Sequence, residues 1–275
     1  LAMTAMLGGS FSNIVLDYVF MFPLGMGIFG AVLATGLAPV IGIAIMSPHW
    51  LKASKGFHAV RTGLSAAHVR NNLALGFPSL LAQLSSGIVI IVFNAIILRL
   101  TGNTGVAAYG VVANLSLVIA AVYTGIAQGI QPLVSREYGK GNKKAQRSFL
   151  TWALYSMAVL SVLLYAGIFL EADPIARIFN SENDLRLQEI AVPGLKLYFT
   201  AILFMGYNVI LSTYFTSVEK VIPAHVVSLL RGLLLIVPAA FVMAGLWGMT
   251  GVWLAFPVTE GITAVLGFRM DARRR

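Results

Sequence analysis

Two carboxylates and one guanidinium stand inside apolar runs of this 275-residue chain, and chemistry is sought there first. Asp17 follows Asn13 by four residues, so the two share a helix face. A carboxylate in an apolar helix is expensive unless it faces a polar cavity or a partner, which makes it a functional candidate by default. Such a group can exchange a proton, and with nearby amide or hydroxyl oxygens it can instead coordinate Na⁺. The alternative is that Asp17 merely caps or packs near a turn. Glu260 lies three residues after Pro257, whose missing N–H frees a carbonyl and bends the helix, as suits a cavity wall. It could handle a cation or couple conformations, or it could neutralise a buried base. Arg231 is a possible partner of that kind. It also lies roughly 10 Å from the start of its helix at about 1.5 Å per residue, near enough to snorkel to the interface, and both readings stand.

Other polar residues interrupt apolar runs. Gln83, Ser86, Asn94, Asn114, Gln128, Tyr198 and Asn208 could line a substrate cavity or make interhelical hydrogen bonds. Phe93, Tyr207, Met205 and Met243 would suit flat lipophilic cations. Several chemistries are excluded. Cysteine is absent, which removes disulfides, thiolate metal sites and cysteine nucleophiles. His49, His58, His68 and His225 show no HExxH spacing, and Gly139-Lys140 lacks the glycine five residues earlier that a phosphate-binding loop needs. Neither an enzyme activity, a metal nor a resident cofactor is expected.

The elements that must position these residues follow from composition. Hydrophobic residues make up 58% of the chain and charged ones 11%, against about 45–50% and about 25% in soluble domains. A bilayer-spanning helix needs about 20 apolar residues. Eight such stretches occur, at 1–22, 27–47, 73–98, 104–134, 149–170, 191–215, 224–244 and 249–268. Pro39, Pro238 and Pro257 are expected inside helices.

When the intervening loops are assigned alternately to two sides, one side collects Lys52, Lys55, Arg61, Arg70, Arg136, Lys140, Lys143, Lys144, Arg147, Lys220, Arg269, Arg273, Arg274 and Arg275, fourteen of the nineteen bases. The other side holds Arg99, Arg177 and Arg186 with the acids Glu171, Asp173, Glu182, Asp184 and Glu189. The basic side is expected to be cytoplasmic, with both ends of the chain on it. The net charge of +9 thus reports topology, and no nucleic-acid partner is expected. The chain begins with Leu1 and has no basic stretch before Lys52, so it is read as a piece of a longer protein and not as starting with a signal peptide.

One repeat stands out. Gly27-Ile28-Phe29-Gly30-Ala31-Val32-Leu33-Ala34 aligns without a gap on Gly248-Met249-Thr250-Gly251-Val252-Trp253-Leu254-Ala255, an offset of 221 residues. Both copies begin a descent from the outer side, so the repeat is parallel, and a complete unit has six helices.

Asn13-Ile14-Val15-Leu16-Asp17 with Leu24-Gly25-Met26-Gly27 and Gly30-Ala31-Val32-Leu33-Ala34-Thr35 resembles the fifth-to-sixth helix signature of MATE (multidrug and toxic compound extrusion) transporters. Gly76-Phe77-Pro78-Ser79, the stretch from Gln128 to Ser135 running into Tyr138-Gly139-Lys140-Gly141-Asn142, and Gly251-Val252-Trp253 with Pro257 and Glu260 agree with it in order. The resemblance implies an all-α polytopic membrane protein carrying eight helices of a twelve-helix, two-lobe fold. Residues 1–47 would be the last two helices of the N-terminal lobe, 48–72 a cytoplasmic linker, 73–268 the six-helix C-terminal lobe, and 269–275 a basic cytoplasmic tail.

It further implies an H⁺- or Na⁺-coupled multidrug efflux antiporter working by alternating access, monomeric when full length. The protein would be multi-pass in the cell membrane, with small organic cations of drug-like size as substrates. Asn13, Asp17 and Thr35 match residues that line the cation site of the first lobe, which an acid of the family's first helix would complete. In the NorM-type branch, acids of the seventh and tenth helices add a second-lobe site. Here the corresponding segments offer Gln83, Ser85 and Ser86 and no Asp or Glu, so coupling is expected in the first lobe. The alternatives are a lipid-linked saccharide flippase of the same superfamily and a non-transporting fragment.

Overall fold

Apolar runs of this length leave their backbone polar groups no partner but one another, and the helix satisfies them all within one segment. The computed structural model describes residues 2–51, 65–180 and 183–272, and among these it contains helices and no strand. In order they are α1 (Ala2–Met21), α2 (Gly27–Leu51), α3 (Ala66–Gly139), α4 (Lys143–Leu170), α5 (Ala172–Phe179), α6 (Leu185–Tyr198), a 3₁₀ turn (Phe199–Ala201), α7 (Ile202–Ser217), α8 (Val221–Leu229), a π turn (Leu230–Leu234) and α9 (Ile236–Ala272). Much of the expected 48–72 linker and residues 273–275 of the basic tail lie outside the described residues, as do Glu182 and His58.

Five helical stretches among the described residues are long and apolar enough to cross a membrane: Gly27–Pro48, Gln83–Gly139, Lys143–Leu170, Leu185–Ser217 and Val221–Ala272. The second and fifth, of 57 and 52 residues, are far longer than the about 20 that one crossing takes. Each turns at one glycine of non-helical backbone, Gly102 (φ 70°, ψ −160°) in α3 and Gly248 (φ 57°, ψ −133°) in α9. Each of these two expected pairs of spans is thus a pair of helices joined at a single kinked glycine. α1 is absent from the five because Ser10, Ser12, Asn13 and Asp17 dilute its apolar face. Pro39 and Pro257 lie in helix interiors as expected. Pro238 is helical as well, in the first turn of α9 directly after the π turn and within the Val221–Ala272 stretch.

The chain divides into two units, Leu1–Leu64 and Ser65–Arg275. In the first, α1 and α2 form a hairpin packed through small residues, with Ala5 and Ala34 buried. A Cβ on Gly9 would stand 3.0 Å from the Ala38 carbonyl oxygen, and one on Gly30 would stand 2.8 Å from Phe20 Cβ. The turn between them uses left-handed glycines, Gly25 (φ 60°) and Gly27 (φ 54°).

The aligned octapeptides therefore share a backbone device. Gly27 and Gly248 both hold positive φ, and three residues later Gly30 and Gly251 both sit where no Cβ fits, the latter against the Met243 carbonyl. Ala34 and Ala255, at the end of each octapeptide, are both fully buried.

The second unit is built on buried Trp253, Tyr123, Phe93, Phe199 and Phe215. The Tyr123 hydroxyl is hydrogen-bonded to Ser161 Oγ at 2.6 Å. Gly194 lets the Trp253 ring lie where a Cβ would be 2.8 Å away. Polar caps start the flanking helices: the Asn142 side chain accepts from Ala145 N–H before α4, and Asp184 accepts from Arg186 and Leu187 N–H before α6.

Candidate functional site

Glu260 sits midway along α9, one turn beyond Pro257, which cannot donate to the Trp253 carbonyl. Its side chain is 2% exposed, so a charge here must be compensated. Arg231 supplies the compensation from the π turn between α8 and α9, its Nε and Nη2 donating to Glu260 Oε1 at 3.2 and 3.0 Å. Asn208, fully buried on α7, donates through Nδ2 to Glu260 Oε2 at 2.6 Å and to the Glu260 backbone carbonyl at 2.9 Å. Both carboxylate oxygens are thus engaged, by groups from two other elements. Arg231 Nη1 and the second hydrogen of Nη2 have no partner among the described residues. π turns are rare and recur at functional sites. This one, closed by Leu235 N–H donating to the Leu230 carbonyl at 3.1 Å, carries the residue that meets Glu260.

The pair stands in the wall of a half-open cavity of about 560 Å³ lined by residues of the second unit. α3 contributes Tyr109, Ser116, Thr124, Gln128 and Gln131, and α7 contributes Met205, Ser212, Thr213 and Thr216. An aromatic wall closes one side, where Tyr198 stacks on Phe256 at 4.4 Å with rings 4° from parallel. Arg231 and Glu260 are the charged residues of the described lining, and Arg231 is the more exposed at 19% against 2%.

The sequence candidates divide. Gln83, Gln128 and Tyr198 line the cavity. Asn208 stands behind the wall as the buttress of Glu260. Asn94, half-buried, and Asn114, exposed, are not among the described lining residues. The Asn114 amide donates to the Gly110 carbonyl of its own helix at 2.8 Å, so its polarity is absorbed locally. The side chain of Ser86 lies outside the described residues. Arg231, left between partner and interface by the sequence, pairs with Glu260.

The hydroxyls of α3 and α7 were missed. Tyr109, Ser116 and Thr124 on α3, and Ser212 and Thr216 on α7, recur at helical spacing, a periodicity of hydroxyls that a search for charges passes over.

In the first unit Asn13 and Asp17 are half-buried on one face of α1. Asn13 Nδ2 and Asp17 Oδ1 are buried with no hydrogen-bond partner in the structure. A buried polar atom left so costs about 1–3 kcal/mol, and each such group in a native fold asks for a role. Thr35 is exposed and donates to the Ala31 carbonyl of its own helix at 2.9 Å, so no hydrogen bond among the described residues joins it to the other two.

Comparison with known proteins supplies the last observation. The model of the MatE family matches residues 78–242. Multidrug export protein MepA of Staphylococcus saprophyticus is 24% identical over 270 residues, covering 96% of this chain and 58% of its own length. A MATE crystal structure in complex with MaL6 matches 99% of this chain and 62% of its own at TM-score 0.91 and 24% identity. An outward-facing multidrug resistance MATE family transporter of the MOP superfamily matches 99% and 61% at TM-score 0.89 and 23% identity. The structural likenesses establish a polytopic helical membrane fold, and the chain spans less than two thirds of the relatives it matches.

Proposed function

We propose a transport function for this chain, which belongs to the MatE family. The whole protein of which it forms part exports small drug-like organic molecules across the cell membrane by alternating access, driven by H⁺ or Na⁺ moving the other way. The observation that carries this reading is the cavity of about 560 Å³ with polar and aromatic walls, set among helices apolar enough for a bilayer. Its volume falls within the about 300–1,000 Å³ of small-molecule sites, and the Tyr198–Phe256 wall suits a flat ring, cationic rings included. That the similar MepA is a multidrug export protein supports the substrate class.

Coupling is assigned to Asp17. Its unpartnered oxygen can take a proton or help ligate Na⁺ without first breaking a bond, and Asn13 one turn away is poised to stabilise either state. Thr35 is the third member by motif. A coupling ion shifts the two access states only by the difference in its affinity for them, and an uncompensated carboxylate gives the largest such difference. The distribution of bases sets both chain ends on the cytoplasmic side. A flippase holding a pyrophosphate headgroup would need several bases, whereas Arg231 is the single base of the described lining.

The test is uptake of an aromatic dye such as ethidium into everted vesicles carrying the intact protein. Uptake should appear only while a proton or sodium gradient stands and collapse with it. Uptake indifferent to both gradients, or equal to that of vesicles without the protein, sinks the reading.

A further inference from the structure

Arg231 and Glu260 face the cavity unequally. Glu260 is nearly inaccessible, and both of its oxygens are occupied by Arg231 and Asn208. Arg231 meets it side-on: its Nε and one hydrogen of Nη2 are spent on Glu260 Oε1, its remaining three N–H groups have no partner among the described residues, and Arg231 itself lines the cavity. A cationic occupant would meet a guanidinium and could reach Glu260 only by expelling it. An occupant bearing a carboxylate would meet donors that are charged, oriented and unspent, and would leave the existing pair intact. The described lining of the same cavity also carries hydroxyls: that of Ser116, those of Ser212 and Ser228, which share a hydrogen bond at 3.3 Å, and that of Ser85, whose buried Oγ has no partner. The stacked Tyr198–Phe256 wall supplies a surface for a planar ring.

We infer that Arg231 is the specificity-determining residue of this cavity, that it selects flat aromatic molecules carrying an anionic oxygen acceptor, and that Glu260 with Asn208 is its positioning apparatus. The inference rests on the transport reading only for the occupant's being a transported molecule. The recognition step stands separately. It differs from what the aromatic and methionine content suggested, since a ring that is also cationic is accepted best when it brings its own carboxylate.

The experiment uses a matched pair of flat dyes, rhodamine 110 with a free carboxylate and rhodamine 123, its methyl ester. Equilibrium binding to the intact protein in detergent is read by fluorescence polarisation. Wild type should bind rhodamine 110 about tenfold tighter or more, the size of a charge-assisted hydrogen bond in a shielded site. In the double variant Arg231→Gln/Glu260→Gln, which removes both charges together, the ratio of the two affinities should fall to within about twofold. Equal or tighter binding of the ester by wild type overturns the inference, and so does a preference that survives in the double variant. If the double variant binds neither dye, Arg231→Lys decides. It keeps the charge without the planar fork and should cut the preference several-fold, and an unchanged preference overturns the inference. Because binding is measured without a gradient, a protein that discriminates the dyes yet fails to move them sinks the transport reading alone.

Discussion

Asp17 and Glu260 are the same chemical group in apolar helices, yet the first unit leaves a buried Asp17 oxygen without a partner, while the second engages both Glu260 oxygens with Arg231 and Asn208. Asp17 is half-buried and Glu260 nearly inaccessible, yet it is the more deeply buried carboxylate that is compensated. Moving a charge out of water costs several kcal/mol, and a well-placed counter-charge returns much of that. Glu260 is therefore held in one arrangement that a cation would have to dismantle, whereas Asp17 has capacity to spare. On our reading the two units divide the work: ion handling falls to α1, and recognition of the transported molecule to the cavity beside α9.

The comparison can be broken most forcefully at the compensated site. Arg231→Gln alone strands a buried carboxylate and should lower stability by about 3–5 kcal/mol, read as a large drop in the thermal unfolding midpoint in detergent. Adding Glu260→Gln should recover most of the loss. If the single variant unfolds like wild type, the pair is not the constraint described here.

The next effect concerns what the units have in common. Gly27→Ala and Gly248→Ala should each cost about 1–2 kcal/mol, because both positions require a left-handed backbone. Gly251→Ala should cost more than either, since its Cβ would meet the Met243 carbonyl of a rigid helix. Equal, negligible costs at all three would separate the octapeptide match from any shared turn.

The smallest effect is a matter of pH and lies past the 104–134 apolar stretch, at the polar end of α3. Glu137, near the end of α3 on the basic side, accepts from Lys140 Nζ, Asn142 Nδ2 and Arg136 Nε at 3.0, 3.0 and 3.2 Å. The Lys140 ammonium foremost, helped by Arg136 and Asn142, holds its carboxyl below the usual carboxylate value of 4.5. A lowered value in the folded state means that the contribution to stability is present above about 4.5 and is lost as pH falls through the lower folded value. Glu137→Gln should flatten that acid limb of the stability profile by removing the contribution at neutral pH, so that variant and wild type converge as pH falls. An identical acid limb in the variant would remove Glu137 from it.

These contrasts were unequally legible in the sequence. The spans could be read because their lengths and the bases between them answer to one bilayer. The kinks at Gly102 and Gly248 were visible only as breaks, since nothing in composition tells a single left-handed glycine from a short loop. The octapeptide repeat, by contrast, pointed at the turn before any coordinates did. At the site, acid and base could be found separately, but the π turn that aims Arg231 at Glu260 has no period of its own to detect. Asn208 was left between cavity lining and an interhelical hydrogen bond, because a buried amide looks the same whether it lines a wall or holds one up, and the structure shows the bond, to Glu260. Asn114 misled for a related reason: a polar side chain in a helix can bond to its own backbone and serve nothing beyond it.

The division of labour between the two carboxylates is tested most directly by comparing Asp17→Asn with the charge-neutral double variant Arg231→Gln/Glu260→Gln. The intact protein in everted vesicles would be assayed for rhodamine 123 uptake under imposed proton and sodium gradients. The account predicts that Asp17→Asn abolishes the dependence on the gradient while dye binding persists, and that the double variant keeps a gradient-dependent uptake. Gradient-driven uptake surviving in Asp17→Asn and vanishing in the double variant would contradict it.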